Sequence, residues 1–600
     1  MGIGINVLQD QEIKTDTAEQ KTWRKKTDVK IGMINVVLDG DYQYEQEIPL
    51  GFGVIGAFLR ENGYTVEYHQ CFISRGEEQA DKAAKVEADL YAFQLNMTNY
   101  RDIRIVVGKI KKIRPQAKVV LGGPYLTMSY EQILQGEPLY DFMVMGEGEY
   151  TTLELVQYLE RGEDDFSNVL GLVWRKPSGA VVKNNHRSLI KDLDAMPFPS
   201  RDLLETESHD SVDDGLTESV RMVTSRGCVA NCSFCCVNLF STLQKGKRWR
   251  GRSPKNVVDE LEILYKKYGV RVVNFSDSSF EDPGKPGKIR AAEICHEIIR
   301  RDIPVSAKIY MRCETMLNEE DIELYKLFKK AGIDVIIMGV EAGSDYELEL
   351  YKKNANLEEN YQAMKTVHAL DLFYLYIGFI MFGPYSTMET LRGNMKFLYE
   401  NKFSDNLMFT GNTLMLLRDS KIYNIVKAEG RVIENDKYWE LPKYTFVDPL
   451  AERMASFWQG LYARYPNARE VTSFQVRIAN LVSRMTNRMN ADVLKALSDE
   501  YIAFKVQHEK LRDEFGCIQS EHFYKMLDLI SNDASDEKIA AVRDNLFENE
   551  YARYLPIYQN AHDSFVKKIV DHGFSLSGLG FKNFYSASAI KGLKRTLRSS

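Results

Sequence analysis

Four of the eight cysteines in this 600-residue chain lie within nine residues, in the segment TSRGCVANCSFCCV (224–237). Cys228, Cys232 and Cys235 form a C-x3-C-x2-C pattern, and Cys236 follows directly, so it is expected to point elsewhere and pack. Thiolates are ligands for soft metals, and a loop can wrap three of them around one centre. Structural zinc normally needs four ligands, and no second C-x2-C or C-x-H pair lies nearby. Three thiolates instead suit a [4Fe-4S] cluster with one iron open to a small molecule.

The composition is that of ordinary globular proteins, with 44% hydrophobic and 27% charged residues. The formal charge of −7 disfavours a nucleic-acid binder, since such proteins are normally basic. The first residues do not resemble a secretion signal, and the longest apolar run, Leu372–Phe382, is about half the ~20 residues that a membrane span needs. Eight irregularly spaced cysteines do not indicate a disulfide framework. We therefore expect a cytoplasmic protein with reduced thiols and no nucleic-acid or membrane partner.

The elements in front of the cysteine segment alternate between strands and helices. Residues 1–28 are polar, whereas residues 29–161 contain short apolar runs such as KVVLGG, separated by helical stretches. This alternation predicts a parallel, doubly wound, Rossmann-like sheet. Residues 162–220 are expected to form a hairpin around Pro-Ser-Gly, followed by a linker.

The alternation resumes after the linker. Six apolar segments within residues 221–445 predict a partial (β/α)6 barrel, and LMFTGNTLML (407–416) is its sixth strand. The cysteine segment follows the first strand, and the active sites of such barrels lie at the C-terminal ends of the strands. Residues 446–600 show amphipathic helical periodicity, which predicts a cap or substrate domain. The expected fold is therefore α/β, with a doubly wound N-terminal domain, a partial barrel and a mainly helical C-terminal domain.

The cysteine segment, with the aromatic Phe234 before its last cysteine, resembles the radical S-adenosylmethionine (SAM) superfamily. The resemblance covers about residues 220–425. It implies that Cys228, Cys232 and Cys235 hold a [4Fe-4S] cluster whose open iron chelates the amino and carboxylate groups of SAM. It also implies that Phe234 lies in the SAM site.

Further segments match the pattern of this superfamily in order along the barrel. NFSDSSF ends the second strand and implies SAM contacts from Ser276 and Asp277. YMRCE ends the third strand, where Arg312 suits the SAM carboxylate. In GVEAGSDYELELYKK, Glu341 is expected near the ribose hydroxyls, and in GFIMFGP, Gly378 would let the backbone approach adenine. Each residue alone would equally suit an ordinary barrel mouth, so the order of the set carries the interpretation.

The N-terminal domain has two glycine loops at the ends of predicted strands, VVLGGPYLT (119–127) and MGEGEYTTLEL (145–155). In front of a radical SAM barrel, they resemble the cobalamin-binding domain of the B12-dependent branch. The resemblance implies cobalamin contacts from Thr98, Gly122, Gly123, Gly146, Glu147 and Gly148. The motif Asp-x-His-x-x-Gly, which supplies a histidine to cobalt in other B12 proteins, is absent, so we expect cobalt without a histidine ligand from that motif.

The resemblance to the B12-dependent branch implies methylation of an unactivated carbon in a small-molecule or peptide precursor, with methylcobalamin as the methyl donor. The electron would come from an external donor of the flavodoxin or ferredoxin type. Two alternatives stay open: a non-methylating oxidation, cyclisation or ring rearrangement with the same cofactors, and a cluster- and cobalamin-binding sensor without turnover. The resemblance assigns no catalytic side chain and no particular substrate.

Overall fold

The computed structural model describes residues 29–37, 48–73, 76–96, 99–124, 130, 133–202, 220–434, 440–574 and 576. These residues form an N-terminal α/β domain, a parallel barrel sheet with its helices and a helical C-terminal region. The predicted fold class is confirmed. No helix in the described ranges is both long and apolar enough to cross a lipid bilayer.

The N-terminal domain is built on a seven-stranded sheet with the strand order β2-β1-β3-β4-β5-β6-β7. Its elements are β1 Lys30–Val36, α1 Leu50–Glu61, β2 Thr65–Cys71, α2 Glu77–Lys85, β3 Leu90–Gln94, α3 Tyr100–Ile113, β4 Lys118–Gly122, β5 Phe142–Val144, α4 Glu149–Glu160, β6 Leu172–Arg175 and β7 Val181–Lys183. Strands β1 to β5 pair with one another in parallel. β1 is buried along its length after Lys30, as expected for a parallel strand covered on both faces by helices.

The sheet continues past residue 161, where the doubly wound unit was expected to end. The predicted hairpin forms, but β6 pairs antiparallel with β5, for example Val173 with Met143. Trp174 of β6 is buried in the N-terminal core. The hairpin therefore covers the open edge of the parallel sheet instead of lying in a free linker.

The barrel region begins at β8. Its elements are β8 Val220–Met222, β9 Ser225–Arg226, α5 Cys236–Leu243, β10 Arg250–Gly251, α6 Pro254–Tyr268, β11 Val272–Phe275, α7 Gly284–Arg300, β12 Ser306–Arg312, α8 Glu319–Ala331, β13 Ile333–Glu341, α9 Asp345–Leu350, α10 Leu357–Leu370, β14 Tyr374–Phe379, α11 Met388–Glu400, α12 Leu407–Thr410, α13 Lys421–Ala428, β15 Val432–Ile433 and β16 Lys443–Tyr444. Five of these strands form a parallel sheet in the order β14-β13-β12-β11-β8. The boundaries of α6 follow from its sequence, because Ser253 caps its N-terminus and Gly269, with a φ of 67°, ends it.

The sixth predicted barrel strand is instead a short helix followed by a single bridge. Leu407–Thr410 forms α12, since the Asn406 side chain caps it by accepting a hydrogen bond from the Met408 N–H. Thr413 joins the barrel through one parallel bridge, to Phe382. Within the described residues the barrel sheet is therefore five-stranded, with β14 and β8 as its edges.

The C-terminal helices pack directly on the barrel. They are α14 Pro449–Trp458, α15 Leu461–Arg464, α16 Pro466–Met485, α17 Ala491–Ala496, α18 Ser498–Ser531, α19 Asp536–Asp544 and α20 Tyr551–Asp571. One continuous hydrophobic core holds both Ile336 of β13 and Ile478 of α16. Helix α16 lies against β13 and β14, so the helical region and the barrel form one packed unit.

Candidate active site

The three cysteines of the C-x3-C-x2-C pattern lie on the loop between β9 and α5, beyond the C-terminal end of the first barrel strand. Cys228, Cys232 and Cys235 are not joined in disulfides and are partly buried. Gly227 opens the loop with a φ of 87°, and a Cβ there would lie 1.9 Å from the carbonyl oxygen of Arg248. Only glycine permits that approach, so Gly227 sets the path of the cysteine loop.

The donor set of this loop fits an iron–sulfur cluster. Burial raises the pKa of Cys228 to about 12 and that of Cys232 to about 11, so iron must displace protons when it binds. In the described part of the chain, no three His, Cys, Asp or Glu side chains converge closely enough for a single metal ion. The thiolates of a four-iron cluster need not converge on one point, because each thiolate binds a different iron. Three soft thiols on one loop meet that requirement.

The helix that leaves the cysteine loop is anchored on the N-terminal domain. Cys236, Leu239 and Phe240 of α5 pack against the core of the N-terminal sheet. Cys236 therefore packs as expected, but its thiol is also in hydrogen-bond contact with the Cys235 side chain. The cysteine loop is held from one side by the barrel and from the other by the domain that carries the glycine loops.

Buried ion pairs surround the barrel mouth. Arg312 Nη2 lies 2.7 Å from Asp282 Oδ1, and Arg312 Nη1 lies 3.5 Å from Glu314 Oε1. Lys353 Nζ lies 3.5 Å from Glu341 Oε1 and 3.8 Å from Glu314 Oε2. This chain of charges links the predicted residues Arg312 and Glu341 through Glu314 and Lys353. Sequence reasoning missed both linking residues, although they lie in the segments YMRCE and GVEAGSDYELELYKK.

The mouth also has unused hydrogen-bonding capacity. Arg312 Nε, Glu314 Oε1 and Glu281 Oε2 are buried and have no hydrogen-bond partner among the described residues. Glu341 has a φ of 73°, a conformation that is costly for residues other than glycine. Burial raises the pKa of its carboxyl, and the Lys353 ammonium opposes that rise. Because buried polar atoms are normally paired, the mouth fits a ligand that, like SAM, carries amino, carboxylate and hydroxyl groups.

Ser276 and Asp277, at the end of β11, have different surroundings. The Asp277 carboxylate is 2% exposed and accepts hydrogen bonds from the Thr224 N–H at 3.1 Å, the Thr224 hydroxyl at 2.9 Å and the Ser225 hydroxyl. Through these bonds Asp277 holds the strand end that leads into the cysteine loop. Its contact with SAM stays a prediction. Ser276 is partly exposed at the mouth, and its SAM contact stays a prediction.

Phe234 and Gly378 have different neighbours in the barrel. The Phe234 ring packs edge-on against Tyr351, with a centroid distance of 5.6 Å. Gly378 lies beside Glu341, since a Cβ on it would be 3.5 Å from Glu341 Oε2. The structure thus brings Gly378 and Glu341 together. The roles of Phe234 and Gly378 in binding SAM stay predictions.

The first glycine loop leaves open space at the end of β4. No described atom lies within 4 Å of the place where a Cβ of Gly122 would be. Gly123 has a φ of 120°, and its Cβ would lie 2.6 Å from the carbonyl oxygen of Leu95, so glycine is required there. Gly122 therefore offers a cradle that a side chain would fill, which fits a bulky ligand. Thr98 and residues 125–129 lie outside the described residues.

The second glycine loop is packed by protein side chains. A Cβ on Gly146 would lie 2.4 Å from Oε1 of Gln244, the residue that follows α5. A Cβ on Gly148 would lie 2.9 Å from Cδ1 of Ile55 in α1. Both glycines admit a close approach, but the approaching groups belong to the chain itself. Their contact with cobalamin stays a prediction.

Glu147, between these two glycines, pairs with the barrel. Arg250 Nη1 lies 2.9 Å from each of its carboxylate oxygens, and Arg226 Nη1 lies 3.4 Å from Oε1. Arg226 also pairs with Glu149 at 2.6 Å. Because Arg226 of β9 and Arg250 of β10 are register partners, one short ribbon presents both guanidinium groups to the loop. The carboxylate of Glu147 thus joins the two domains, and its contact with cobalamin stays a prediction.

This ionic contact brings the C-terminal ends of the two sheets together. Glu147 follows the end of β5, and Arg226 stands two residues before Cys228. Sequence reasoning missed Arg226, Arg250 and Glu149. The acidic residues in GEGE and the arginines in SRG and RWRGR carry complementary charges, but nothing in the linear pattern indicates that they meet.

Two known protein families match the chain. The B12 binding domain family matches residues 42–156, and the radical SAM superfamily matches residues 222–398. The first range contains both glycine loops, and the second contains the cysteine loop and the ion pairs of the barrel mouth.

Individual proteins give the same assignment. An uncharacterized methyltransferase of Pyrococcus horikoshii is 32% identical over 414 residues, which cover 67% of this chain and 82% of that protein. An anaerobic magnesium-protoporphyrin IX monomethyl ester cyclase of Rubrivivax gelatinosus is 33% identical over 258 residues, 42% of this chain and 44% of that protein. The cobalamin-dependent S-adenosylmethionine radical enzyme OxsB, with aqua-cobalamin bound, has a TM-score of 0.63 at 18% identity, over 93% of this chain and 83% of that one.

The likeness to OxsB, at its low identity, concerns the fold alone. The extent of the Pyrococcus match and the presence of both family domains establish the family independently. The chain is an enzyme that belongs to the cobalamin-dependent radical SAM family, whose cofactors are cobalamin, S-adenosylmethionine and a [4Fe-4S] cluster.

Proposed function

We propose that the chain is a radical SAM C-methyltransferase acting on an unactivated carbon of a small-molecule or peptide precursor. The observation that supports this most strongly is the ionic contact between the domains, in which Glu147 lies 2.9 Å from Arg250 beside the strand that leads to Cys228. Both kinds of domain bind ligands at the C-terminal ends of their strands. A substrate held between those ends would be within reach of both cofactor sites.

In this proposal Cys228, Cys232 and Cys235 hold the cluster, and Arg312 and Glu341 contact SAM. When bound, the cluster and SAM supply hydrogen-atom abstraction, and cobalamin supplies the methyl group. Ion pairs to neighbouring residues fix both SAM contacts in place: Asp282 orients Arg312 and Lys353 orients Glu341.

The open cradle at Gly122 is the surface that we assign to cobalamin, and the helical region from residue 446 is assigned to the substrate. Its helices share a continuous core with the barrel, so they can exclude water from the space between the domains. An external protein of the flavodoxin or ferredoxin type would supply the electron. The chain itself orients the reactants and keeps solvent out, and these tasks require rigid contacts between its domains.

A non-methylating cyclisation or oxidation with the same cofactors is the second candidate. The similarity to the magnesium-protoporphyrin cyclase of Rubrivivax gelatinosus favours cyclisation among the non-methylating reactions. Both candidates use the same cluster and the same barrel mouth, so they differ only in whether a methyl group leaves SAM.

Product analysis separates the two candidates. The anaerobically reconstituted protein would be incubated with a reductant, cobalamin and SAM that carries a deuterated methyl group. Methyl transfer predicts 5′-deoxyadenosine together with S-adenosylhomocysteine, and deuterium in the cobalamin fraction. Deoxyadenosine without S-adenosylhomocysteine would favour cyclisation or oxidation, and formation of neither product would overturn both.

A further inference from the structure

The inner face of the barrel carries a row of polar residues below its mouth. In the parallel register, Arg221 of β8 pairs with Asn274 of β11, and Asn274 pairs with Lys308 of β12. Register partners on neighbouring strands point to the same face of a sheet. Their chain neighbours Met222 and Ile309 are fully buried in the core on the opposite face. The row of Arg221, Asn274 and Lys308 therefore faces the barrel interior.

Solvent reaches this inner face, although its strands lie in the middle of the molecule. Lys308 and Tyr310 of β12 are partly exposed, as are Ile337 of β13 and Tyr376 of β14, while the residues between them are buried. Such an alternation requires open space on one side of the sheet. Among the described residues, this side of the sheet is therefore open space, a cavity within the barrel, whereas the interior of a closed (β/α)8 barrel is packed.

Lys308 places a charge in this cavity without an acidic partner. Within the described residues it forms no ion pair and no hydrogen bond, and its Nζ lies over the Tyr310 ring, 6.0 Å from the centroid. Burial, and then the charges of Arg221 and Arg484, lower its pKa to about 8. The cavity thus brings together three basic side chains whose charges act on one another.

The third cation, Arg484, belongs to the C-terminal helices. The carboxylate near it, that of Asp334, also has other partners. Arg484 lies on α16 and is buried, and the Asp334 charge acts on it. The Asp334 carboxylate also pairs with Lys329 at 2.8 Å and accepts a hydrogen bond from Asn487 at 2.5 Å. The positive charge at Lys308 is therefore not balanced by this carboxylate. Because buried charge is costly without a counter-charge, the cavity favours an anion.

Asn274 adds a requirement for a hydrogen-bond donor. Asn274 is 3% exposed, and its Oδ1 has no hydrogen-bond partner in the described part of the chain. Buried amide oxygens are normally paired. A hydroxyl or N–H next to an anionic group would satisfy Asn274 while the anion binds Lys308.

This row is separate from the SAM contacts at the mouth. Lys308 stands four residues before Arg312 on the same face of β12. At about 3.3 Å per residue, the two positions are about 13 Å apart along the strand. Arg312, moreover, is already paired with Asp282. An anion on Lys308 would therefore not be the SAM carboxylate that we assign to Arg312.

We propose that Arg221, Asn274 and Lys308 bind the anionic group of the substrate, a carboxylate or a phosphate with a neighbouring hydroxyl or N–H. The identity of this ligand as the substrate rests on the proposed methyltransferase function, whereas binding of the anion requires no turnover. The anionic group lies deep in the barrel, and the rest of the substrate extends toward the mouth. The site thereby sets which carbon reaches the cofactors.

Equilibrium dialysis with radiolabelled inorganic phosphate tests the site. The full chain would be loaded with cluster and cobalamin and examined with and without SAM. We expect saturable binding that Lys308→Met weakens at least ~10-fold, because a charged hydrogen-bonding group is lost. Lys308→Arg should retain most of the affinity, because it keeps the charge. The matched control is Lys255→Met, since Lys255 is 77% exposed and should not affect binding.

Arg221→Met provides a second variant in case Lys308→Met fails to load its cofactors, and it should also weaken phosphate binding. Competition by glycolate and acetate tests the donor requirement of Asn274, and glycolate, which adds a hydroxyl, should displace phosphate better. Absence of phosphate binding by the unmodified protein would overturn the proposal. So would a phosphate affinity of Lys308→Met and Arg221→Met equal to that of the unmodified protein. Equal competition by acetate would overturn the part assigned to Asn274. None of these measurements depends on methyl transfer, so a failed methyltransferase assay leaves them interpretable.

Discussion

The two glycine loops of the N-terminal domain both lie at the C-terminal end of a parallel strand, but their surroundings in the folded chain differ. At Gly122 no described atom would touch an added Cβ, whereas at Gly146 the Gln244 side chain would lie 2.4 Å from it. Among the described residues, the space beside Gly122 at the end of β4 is open. The loop at Gly146 is packed, because the side chain of Gln244, which follows α5, covers it. Glycine permits a close approach in both loops, and the docking of the barrel decides which group approaches.

The packed loop also differs in charge. Glu147 and Glu149 pair with Arg250 and Arg226 of the β9–β10 ribbon, and the Glu147 side chain is 14% exposed. A loop tied by buried ion pairs is suited to hold two domains at a constant distance. An open loop is suited to receive a ligand. The difference predicts that substitutions in the two loops will fail in different ways.

Charge reversal in the packed loop should have the largest effect. Glu147→Arg would place a third guanidinium beside Arg226 and Arg250 in a mostly buried site. Breaking a buried ion pair in this way costs about 3–5 kcal/mol, and urea unfolding should show a correspondingly lower midpoint. The double variant Glu147→Arg/Arg250→Glu should regain much of this stability, since the pair is rebuilt with opposite polarity. An unfolding midpoint equal to that of the unmodified chain would show that the ion pairs do not hold the loop.

A bulky side chain in the open loop should block cobalamin without unfolding the domain. Gly122→Leu adds a side chain where no described atom interferes, so stability should change by no more than about 0.5 kcal/mol. Cobalamin retained after gel filtration, measured by absorbance, should fall sharply. The matched control is Gly108→Leu on α3, which also has no described atom within 4 Å and should bind cobalamin normally. Normal cobalamin uptake by Gly122→Leu would show that cobalamin does not bind beside Gly122.

A minimal side chain in the packed loop should have the smallest effect, and the effect should be on stability. Gly146 has a φ of 72°, so Gly146→Ala should cost about 1–2 kcal/mol in urea unfolding. Adding Gln244→Ala removes the steric conflict but not the backbone strain, and should therefore restore only part of the loss. Full restoration would mean that the backbone at Gly146 relaxes, and no loss at all would contradict the packing of this loop.

Local patterns predicted the parts of the molecule that depend on local physics. The cysteine spacing, the strand–helix alternation and the glycine turns each reflect a nearby requirement, such as the approach of the Arg248 carbonyl to Gly227. The prediction of a sixth barrel strand was wrong because it considered the apolar residues 407–416 but not the residue in front of them. The Asn406 cap turns the start of that run into a helix.

Contacts between distant segments were not readable in the same way. Glu147 and Arg250 are 103 positions apart, and their pairing depends on how two independently patterned domains dock. Asp277 sits in a motif that suggested a ligand contact, yet its carboxylate bonds to Thr224 and Ser225. Lys308 lies inside a strand that reads as an ordinary barrel strand. Its significance appears only when register places it beside Asn274 and Arg221.

The central claim is that the cysteine loop and the open glycine loop serve two different cofactors in one reaction. The most direct test compares the products of three proteins after anaerobic reconstitution with SAM, cobalamin and a reductant: the unmodified chain, Cys232→Ala and Gly122→Leu. We expect the unmodified chain to form 5′-deoxyadenosine and S-adenosylhomocysteine, Cys232→Ala to form no deoxyadenosine, and Gly122→Leu to form deoxyadenosine but little S-adenosylhomocysteine. Deoxyadenosine from Cys232→Ala, or undiminished S-adenosylhomocysteine from Gly122→Leu, would contradict this division of roles.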